Sequence, residues 1–318
     1  MRKLVPLVLM ALLLVSVTTI SGCGGGPSTA TNMVPQNATF VANIQIERIL
    51  TDPDLIAAYD GWEKEPDMPE TFDEPLLQIE EESGIDPRDF SEATVFGDSN
   101  APGGYLGIIL EGSFSEDTLI TGIEYAIGHM TPTTYNGHPV YEGEYEGTPT
   151  GLCLLSTHTV LGGTLEAVRD AIDVVEGVPP LSGMVYDAYV ALGDVWVKAA
   201  LEVPQEEQVE VPEDIGIGEE FSDIEVVGFG FNKSGQSLCL DARLGFENAD
   251  AAAEAQEAID SVIAMIAIFA PPEAEVLADV LDGLSVDRSG VWVTVCLQTT
   301  IAELEELVQA LQEMEMEE

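Results

Sequence analysis

The sequence predicts an α+β protein made of two related units, each an antiparallel sheet with helices packed on one face. Short runs of alternating apolar residues are separated by turn-forming residues and followed by segments with helical spacing. A shift of 132 residues also matches Val95 with Val227 and Leu106 with Leu238, within a similar order of strands and helices. We therefore predict an internal duplication, with units over residues 36–180 and 181–318.

The first unit contains the clearest turn signal of the chain. Asn136-Gly137 lies between two strand-like runs, and this pair accepts the positive φ angles that a tight type I′ turn requires. Ser115 precedes two acidic residues and a run with helical spacing, which is typical of a helix N-cap. The predicted order is a strand, a hairpin over residues 93–113, a capped helix, two further strand pairs and a helix over 165–175.

The second unit replaces the Asn136-Gly137 hairpin with a long helix over residues 248–270. Its last nine residues, 262–270, are all apolar, which is far fewer than the roughly 20 that a transmembrane helix needs. One interpretation is a central helix between the two sheets. The alternative is that part of the helix lines a groove for an apolar ligand or a partner helix. The residues assigned to that groove are Val262, Ile263, Met265, Ile266 and Phe269.

The composition is strongly acidic, with 58 Asp and Glu against 10 Lys and Arg and a formal net charge of −48. Such a surface repels phosphate backbones and excludes nucleic acid as a partner. It also lacks the basic clusters that bind anionic lipid headgroups. A charge of this size is typical of a solvated surface, while loose binding of divalent cations, for example at the acidic residues of 60–92, and attraction of a basic partner are the alternatives.

The sequence contains no phosphate-binding glycine loop, no zinc-protease motif, no nucleophile elbow and no calcium loop, so it indicates no catalytic residue, metal ligand or cofactor. His129, His138 and His158 fall at a predicted helix end and in tight turns, which favours surface positions. Cys153 lies in an apolar strand, where a buried thiol is more common than a nucleophile. Cys239 and Cys296 are either bridged or remain thiols.

The N-terminus predicts export across a membrane. Arg2 and Lys3 precede the apolar residues 4–20, and two small residues lead into Cys23, which is the layout of a secretory signal over residues 1–22. The apolar run is at the lower limit for spanning a bilayer, so an uncleaved membrane helix is the alternative. Residues 23–35 begin with glycines and are typical of a flexible tether.

Ile20-Ser21-Gly22-Cys23 resembles the lipobox of bacterial-type lipoprotein precursors. The resemblance implies that the signal is cut before Cys23 and that the sulfur of Cys23 carries a diacylglycerol. Each buried methylene contributes about 0.8 kcal/mol, so two or more acyl chains hold a soluble body on a membrane. Cleavage also removes Arg2 and Lys3, which leaves 58 acidic against 8 basic side chains, a net charge of −50.

The sequence thus predicts a lipoprotein of the cell envelope, lipid-anchored to a membrane, facing outside the cytoplasm, with a non-enzymatic binding or scaffolding role. One alternative is a carrier or sensor of an apolar ligand, which an open cavity near residues 262–270 would favour. The other is a hydrolase without a local signature, which a pocket holding Cys153 or a histidine beside carboxylates of raised pKa would favour. The sequence does not specify the partner.

Overall fold

The computed structural model describes residues 30–61, 64, 68–98, 100–101, 104–204, 221–269, 280–303 and 306. The described residues form an α+β protein of two compact units, the first ending at Leu181 and the second beginning at Ser182. The predicted signal over 1–22, the lipid-bearing Cys23 and the tether up to residue 29 lie outside the described residues.

The first unit contains an antiparallel sheet with the strand order β1-β2-β3-β7-β6-β5-β4. Its strands are β1 (Phe40–Ile44), β2 (Phe90–Asp98), β3 (Tyr105–Gly112), β4 (Thr131–Tyr135), β5 (His138–Tyr145), β6 (Thr148–Ser156) and β7 (Thr159–Thr164). Its helices are α1 (Ile46–Leu50), α2 (Pro53–Gly61), α3 (Asp73–Ser83), α4 (Glu116–Ile127) and α5 (Leu165–Val175), with 3-10 turns at Ala30–Met33 and Pro87–Asp89.

Local sequence signals account for the ends of these elements. Asn136 and Gly137 have φ angles of 46° and 86° and join β4 to β5, with Tyr135 paired to His138, so the predicted hairpin is confirmed. The Ser115 side chain accepts a hydrogen bond from the Thr118 N–H at 3.3 Å, which confirms the predicted N-cap of α4. The predicted helix over residues 165–175 is α5.

Helices pack on both faces of the first sheet, so the prediction that they cover one face is wrong. A Cβ on Gly151 would meet the side chain of Val168 in α5 at 3.4 Å. The next residue, Leu152, instead joins a buried cluster with Leu119 of α4. Neighbouring residues of a strand point to opposite faces, so α4 and α5 lie on opposite sides of the sheet. Periodicity within a helix does not indicate which side of a sheet the helix will cover.

The second unit contains an antiparallel sheet with the strand order β8-β9-β10-β12-β11. Residues 280–282 and 301–303 are also helical. Its elements are α6 (Met184–Ala191), β8 (Val197–Glu202), β9 (Ile224–Ser234), β10 (Ser237–Phe246), α7 (Ala249–Phe269), β11 (Leu284–Ser289) and β12 (Trp292–Thr300).

Both faces of the second sheet are also covered by helices. A Cβ on Gly228 would meet Ala188 of α6 at 3.3 Å. On the other face, Ala252 of α7 is fully buried in a cluster with Phe246 and Val293. The helix α6 was not predicted, because seven of its eight residues are apolar or aromatic without a clear helical stripe and follow a segment rich in turn residues.

Candidate functional site

The predicted apolar groove lies on the C-terminal half of α7, and the structure places only part of it. Val262 and Ile263 are half-buried, and Met265 is 50% exposed. The side chains of Ile266 and Phe269 lie outside the described residues. In the N-terminal half of the same helix, Ala251, Ala252 and Ala255 pack against β10 and β12. The helix is therefore docked on the sheet at its start, while its end exposes a large apolar side chain.

The outward face of α7 changes character along the helix. Glu254, Glu257 and Ser261 are exposed and follow one another at intervals of three or four residues, as one solvent-facing stripe does. Ala264 and Met265 continue that stripe and are also exposed. A stripe that begins acidic and ends apolar is consistent with a site for an apolar group, although a single exposed side chain does not by itself form a groove.

Cys153 is fully buried in β6, and the burial raises the pKa of its thiol to about 11. The thiol is therefore protonated at neutral pH, whereas a nucleophile requires the thiolate. The structure holds Cys153, Cys239 and Cys296 as thiols and not in a disulfide. Cys239 is paired with Gln298, two residues from Cys296, so those two thiols lie on one face of the sheet, one diagonal step apart.

The three histidines occupy separate places in the first unit and each has its own partner. His129 Nδ1 lies 3.1 Å from Glu124 Oε1, at the end of α4. His138 Nε2 lies 2.9 Å from Glu176 Oε1, and His158 Nδ1 lies 3.0 Å from the Gly112 carbonyl. Within the part of the chain that the structure describes, no group of three or more His, Cys, Asp or Glu side chains is arranged to hold a metal ion.

A polar network connects α5 with the β4–β5 hairpin. The two carboxylate oxygens of Asp173 accept hydrogen bonds from Tyr135 Oη at 3.0 Å and from Asn136 Nδ2 at 2.6 Å. Glu176, three residues later, contacts His138. The tip of the hairpin is thus attached to the helix by two carboxylates on one helical stripe.

Arg169, one turn before Asp173, extends the same network. Its guanidinium lies 2.8 Å from Glu142 Oε1 and 5.3 Å from the ring centre of Tyr135. The hydrogen bonds from Arg169 and Thr133 lower the pKa of Glu142. The sequence analysis missed this network, although the spacing of Arg169, Asp173 and Glu176 on the polar side of a strongly amphipathic helix could have indicated it.

A second polar cluster involves residues of the neighbouring strands β1, β2 and β3. Glu92 and Glu111 are directly opposite each other in the register of these strands. Burial, and then the charge of Glu92, raise the pKa of Glu111. The buried Asn43 donates to Glu92 Oε1 at 2.6 Å, and Gln45 donates to Glu92 Oε2 at 2.9 Å. Amide donors thus stabilise the charged form of Glu92, whereas the repulsion between the two carboxylates contributes to the raised pKa of Glu111.

Two basic side chains of the second unit, Arg243 and Lys198, lie against aromatic rings. Arg243 of β10 lies 4.5 Å from the ring centre of Trp292, and burial lowers the pKa of its guanidinium. Lys198, 4% exposed, donates to the Gly193 carbonyl at 2.7 Å and lies 4.3 Å from the Tyr189 ring centre. Cation–π contacts of this kind stabilise a charge in a partly desolvated place, so these residues support the packing.

Among the described residues, no helix is long and apolar enough to span a membrane. No family model matches the chain. No curated protein matches it either.

Among solved structures, the chain is similar to three crystal forms of the protein TP0453, at 9% sequence identity in each case. Crystal forms III and I each align over 90% of this chain and 98% of theirs, with TM-scores of 0.47 and 0.43. Crystal form IV aligns over 87% of this chain and 95% of its own, with a TM-score of 0.47. At this identity no residue of TP0453 can be matched in function to a residue of this chain. What the structure itself defines is the class, an α+β protein with antiparallel sheets.

Proposed function

We propose that the protein is a lipid-anchored component of the cell envelope that binds or scaffolds a partner outside the cytoplasm. The observation that carries this proposal is Ile20-Ser21-Gly22-Cys23 directly after an apolar run that begins with Arg2 and Lys3. Lipidated Cys23 attaches the body to the membrane, because the acidic surface offers little attraction to anionic headgroups. The glycines after Cys23 separate the body from the lipid surface.

A binding role is favoured over catalysis by the partners of the reactive side chains. The Cys153 thiol is protonated in its apolar surroundings. A ring nitrogen of His129 lies against Glu124 of α4, one of His138 lies against Glu176 just after α5, and one of His158 lies against a backbone carbonyl. A nucleophile and its base must lie within hydrogen-bonding distance of each other. The three histidines instead contact Glu124, Glu176 and the Gly112 carbonyl.

We further propose that the two units arose by duplication. The strand order β8-β9-β10-β12-β11 repeats the order β1-β2-β3-β7-β6. In both units a helix follows the third strand of this order, α4 in the first and α7 in the second. The offset of 132 residues that matches Val95 with Val227 connects the corresponding strands β2 and β9. This order supports duplication more strongly than the low sequence similarity does.

The anchor is tested with Cys23→Ala in a bacterial host that processes lipoproteins. We expect the wild type to sediment with membranes and its mature N-terminal peptide to carry a diacylglycerol on Cys23 by mass spectrometry. The variant should remain uncleaved and carry no lipid. Cys239→Ala is the matched control, and it should be lipidated like the wild type. An unmodified Cys23 in the mature protein would contradict the anchor.

A second candidate function, binding of an apolar ligand, is favoured by the half-exposed Met265 at the end of the acidic stripe of α7. An environment-sensitive apolar dye should then become fluorescent with the wild type. Met265→Glu should abolish this signal, because a charge would enter the apolar surface. Ser261→Glu, one turn earlier on the same stripe, is the matched control and should retain the signal. A wild type that leaves the dye dark would remove this candidate.

A further inference from the structure

In the part of the chain that the structure describes, β11 is the outer strand of the second sheet, and no strand is paired with its outer edge. The Gln298 N–H donates to the Gly283 carbonyl at 2.9 Å, which fixes the register of the pairs between β11 and β12. Hydrogen-bonded pairs alternate along an antiparallel ladder, so the N–H and C=O of Leu284, Val286 and Arg288 point away from β12. Within the described part of the chain, no group bonds to these backbone atoms.

The first unit fills the corresponding place with its own strands. In strand order β6 corresponds to β11, and the 132-residue offset matches Leu152 with Leu284. Leu152 is paired with Tyr141 of β5, and β4 continues the sheet beyond β5. The first unit therefore shows that a strand fits at this position.

The first sheet also ends in a way that resists further pairing. By the same alternation, the backbones of Pro132 and Thr134 point outward from β4, since Tyr135 and His138 form the pair next to the turn. Proline has no N–H, so the outer edge of β4 lacks one of its donors. A proline on an edge strand is a common device against strand addition, and β11 contains none.

The side chains of β11 differ on its two faces. Val286 packs, half-buried, against the cluster of Phe246 and Val293 on the α7 side, and on that side Arg288 Nε lies 3.3 Å from Gln256 Oε1. The opposite face is exposed and polar, and it carries one acid, Asp287. A strand added beside β11 would therefore meet Leu284 and Val286 followed by Arg288 on one face, and a polar row with one acid on the other.

We propose that the β11 edge binds an extended segment of a partner protein in which apolar residues alternate with lysine or arginine. Backbone hydrogen bonds to Leu284, Val286 and Arg288 give the affinity, and the alternating side chains give the specificity. The basic residues are selected by Asp287 and by the net charge of −48, which also opposes pairing with a second copy of this chain. This proposal rests on the binding role proposed above and does not depend on the lipid anchor.

The test uses the full-length protein purified from membranes in detergent and a synthetic probe. The probe is a capped peptide of alternating valine and lysine, and its control has the same sequence with N-methyl groups on alternate residues, which block backbone pairing. We expect the first peptide to bind at low ionic strength and the second to bind at least about tenfold more weakly. Hydrogen exchange should show new protection at residues 284–288 only with the first peptide.

Two substitutions separate backbone pairing from charge attraction. Val286→Pro removes an outward N–H without removing a hydrogen bond to β12. It should lower the affinity for the valine-lysine peptide by roughly tenfold. Thr134→Pro removes an outward N–H at the edge of the first sheet, in β4, and should leave the affinity for the peptide unchanged. Asp287→Lys should lower the affinity for the peptide and reduce the salt dependence of its binding. A thermal melt of each variant checks that the fold is retained.

Several outcomes would overturn the proposal. Equal binding of both peptides, or unchanged binding by Val286→Pro, would mean that charge alone attracts them. Protection of residues 284–288 in the free protein would mean that this chain covers the edge itself, and protection that grows with protein concentration would mean that a second copy does. A diacylglycerol found on Cys23 of the same preparation by mass spectrometry would in these cases leave the proposed anchor intact, so the two failures are distinguishable.

Discussion

The two sheets share the order of their first five strands and end differently. In the first unit the sheet continues through β5 and β4, and Asp173 and Glu176 of α5 hold the tip of that hairpin. In the second unit α7 follows the third strand as α4 does in the first, and within the described residues the sheet ends at β11. The same order of five strands is therefore extended by two more strands in the first unit, whereas the described part of the second unit shows no such extension.

The largest expected effect concerns two phenylalanines, Phe246 at the end of β10 and Phe114 two residues after the end of β3. Phe246 is fully buried, whereas Phe114, its match at the 132-residue offset, is half-buried. Phe246→Ala should lower the free energy of unfolding by about 3–5 kcal/mol, because it leaves a cavity beside Ala252 and Val293. Phe114→Ala should cost about 1–2 kcal/mol, since less apolar area is lost. Urea unfolding followed by circular dichroism measures both, and equal losses would contradict the expected effect of the different burial.

A smaller effect is expected where α5 holds the hairpin. Asp173→Ala removes the acceptor of both Tyr135 and Asn136, and hydrogen bonds to a charged group contribute about 1.5–3 kcal/mol each at most. We expect faster amide exchange across β4 and β5, with the second unit unchanged, as measured by hydrogen-exchange mass spectrometry. Glu166→Ala, an exposed acid on the same helix, is the matched control. Unchanged exchange at β4 would show that apolar packing alone fixes the hairpin.

The smallest effect concerns the opposed carboxylates Glu92 and Glu111. The folded protein raises the pKa of Glu111 through burial and through Glu92, so it binds that proton more tightly than the unfolded chain does. The stabilisation from this group is complete below the ordinary carboxyl pKa and is lost as the pH rises through the raised value. Glu111→Gln should therefore raise the free energy of unfolding near neutral pH by about 0.2–1 kcal/mol, which is seen as a higher Tm. It should have little effect in acid. A Tm of Glu111→Gln below that of the wild type at neutral pH would contradict the expected direction of the change.

The second unit offers a contrast to that carboxylate pair. The 132-residue offset matches Glu111 with Arg243, whose guanidinium lies over Trp292. A like-charged pair in the first unit thus corresponds to a cation–π contact in the second. The first arrangement depends on pH in the acidic range, whereas an arginine stays charged throughout. We accordingly expect the acid dependence of stability at this position to be confined to the first unit.

Short-range signals predicted the elements of the first unit well. Asn136-Gly137, Ser115 and the helix over 165–175 were correct because turn and cap residues act on neighbouring backbone groups. The side of the sheet that each helix covers was predicted wrongly, since that choice depends on contacts between residues far apart in sequence. The helix α6 was missed because Asp187 is its one charged residue, so the sequence lacks the polar stripe that marks an amphipathic helix.

The candidate sites show the same division. Met265 was assigned to an apolar surface from sequence, and its exposure is consistent with that assignment. The network of Arg169, Asp173 and Glu142 was not found, because its members come from a helix and a hairpin that only folding brings together. The open edge of β11 also has no local signature, since a strand on an edge and a strand inside a sheet can have the same sequence pattern.

The sequence by itself determined the acidic character of this protein, the type and order of most of its secondary-structure elements, and the lipobox-like residues that end in Cys23. Each of these follows from composition or from residues a few positions apart. Only the tertiary structure decided which faces the helices cover, which carboxylates hold the β4–β5 hairpin, and which strand is left at the edge of the second sheet. Those features depend on strand pairing across long stretches of chain, and backbone hydrogen bonds carry no side-chain identity from which that pairing could be inferred.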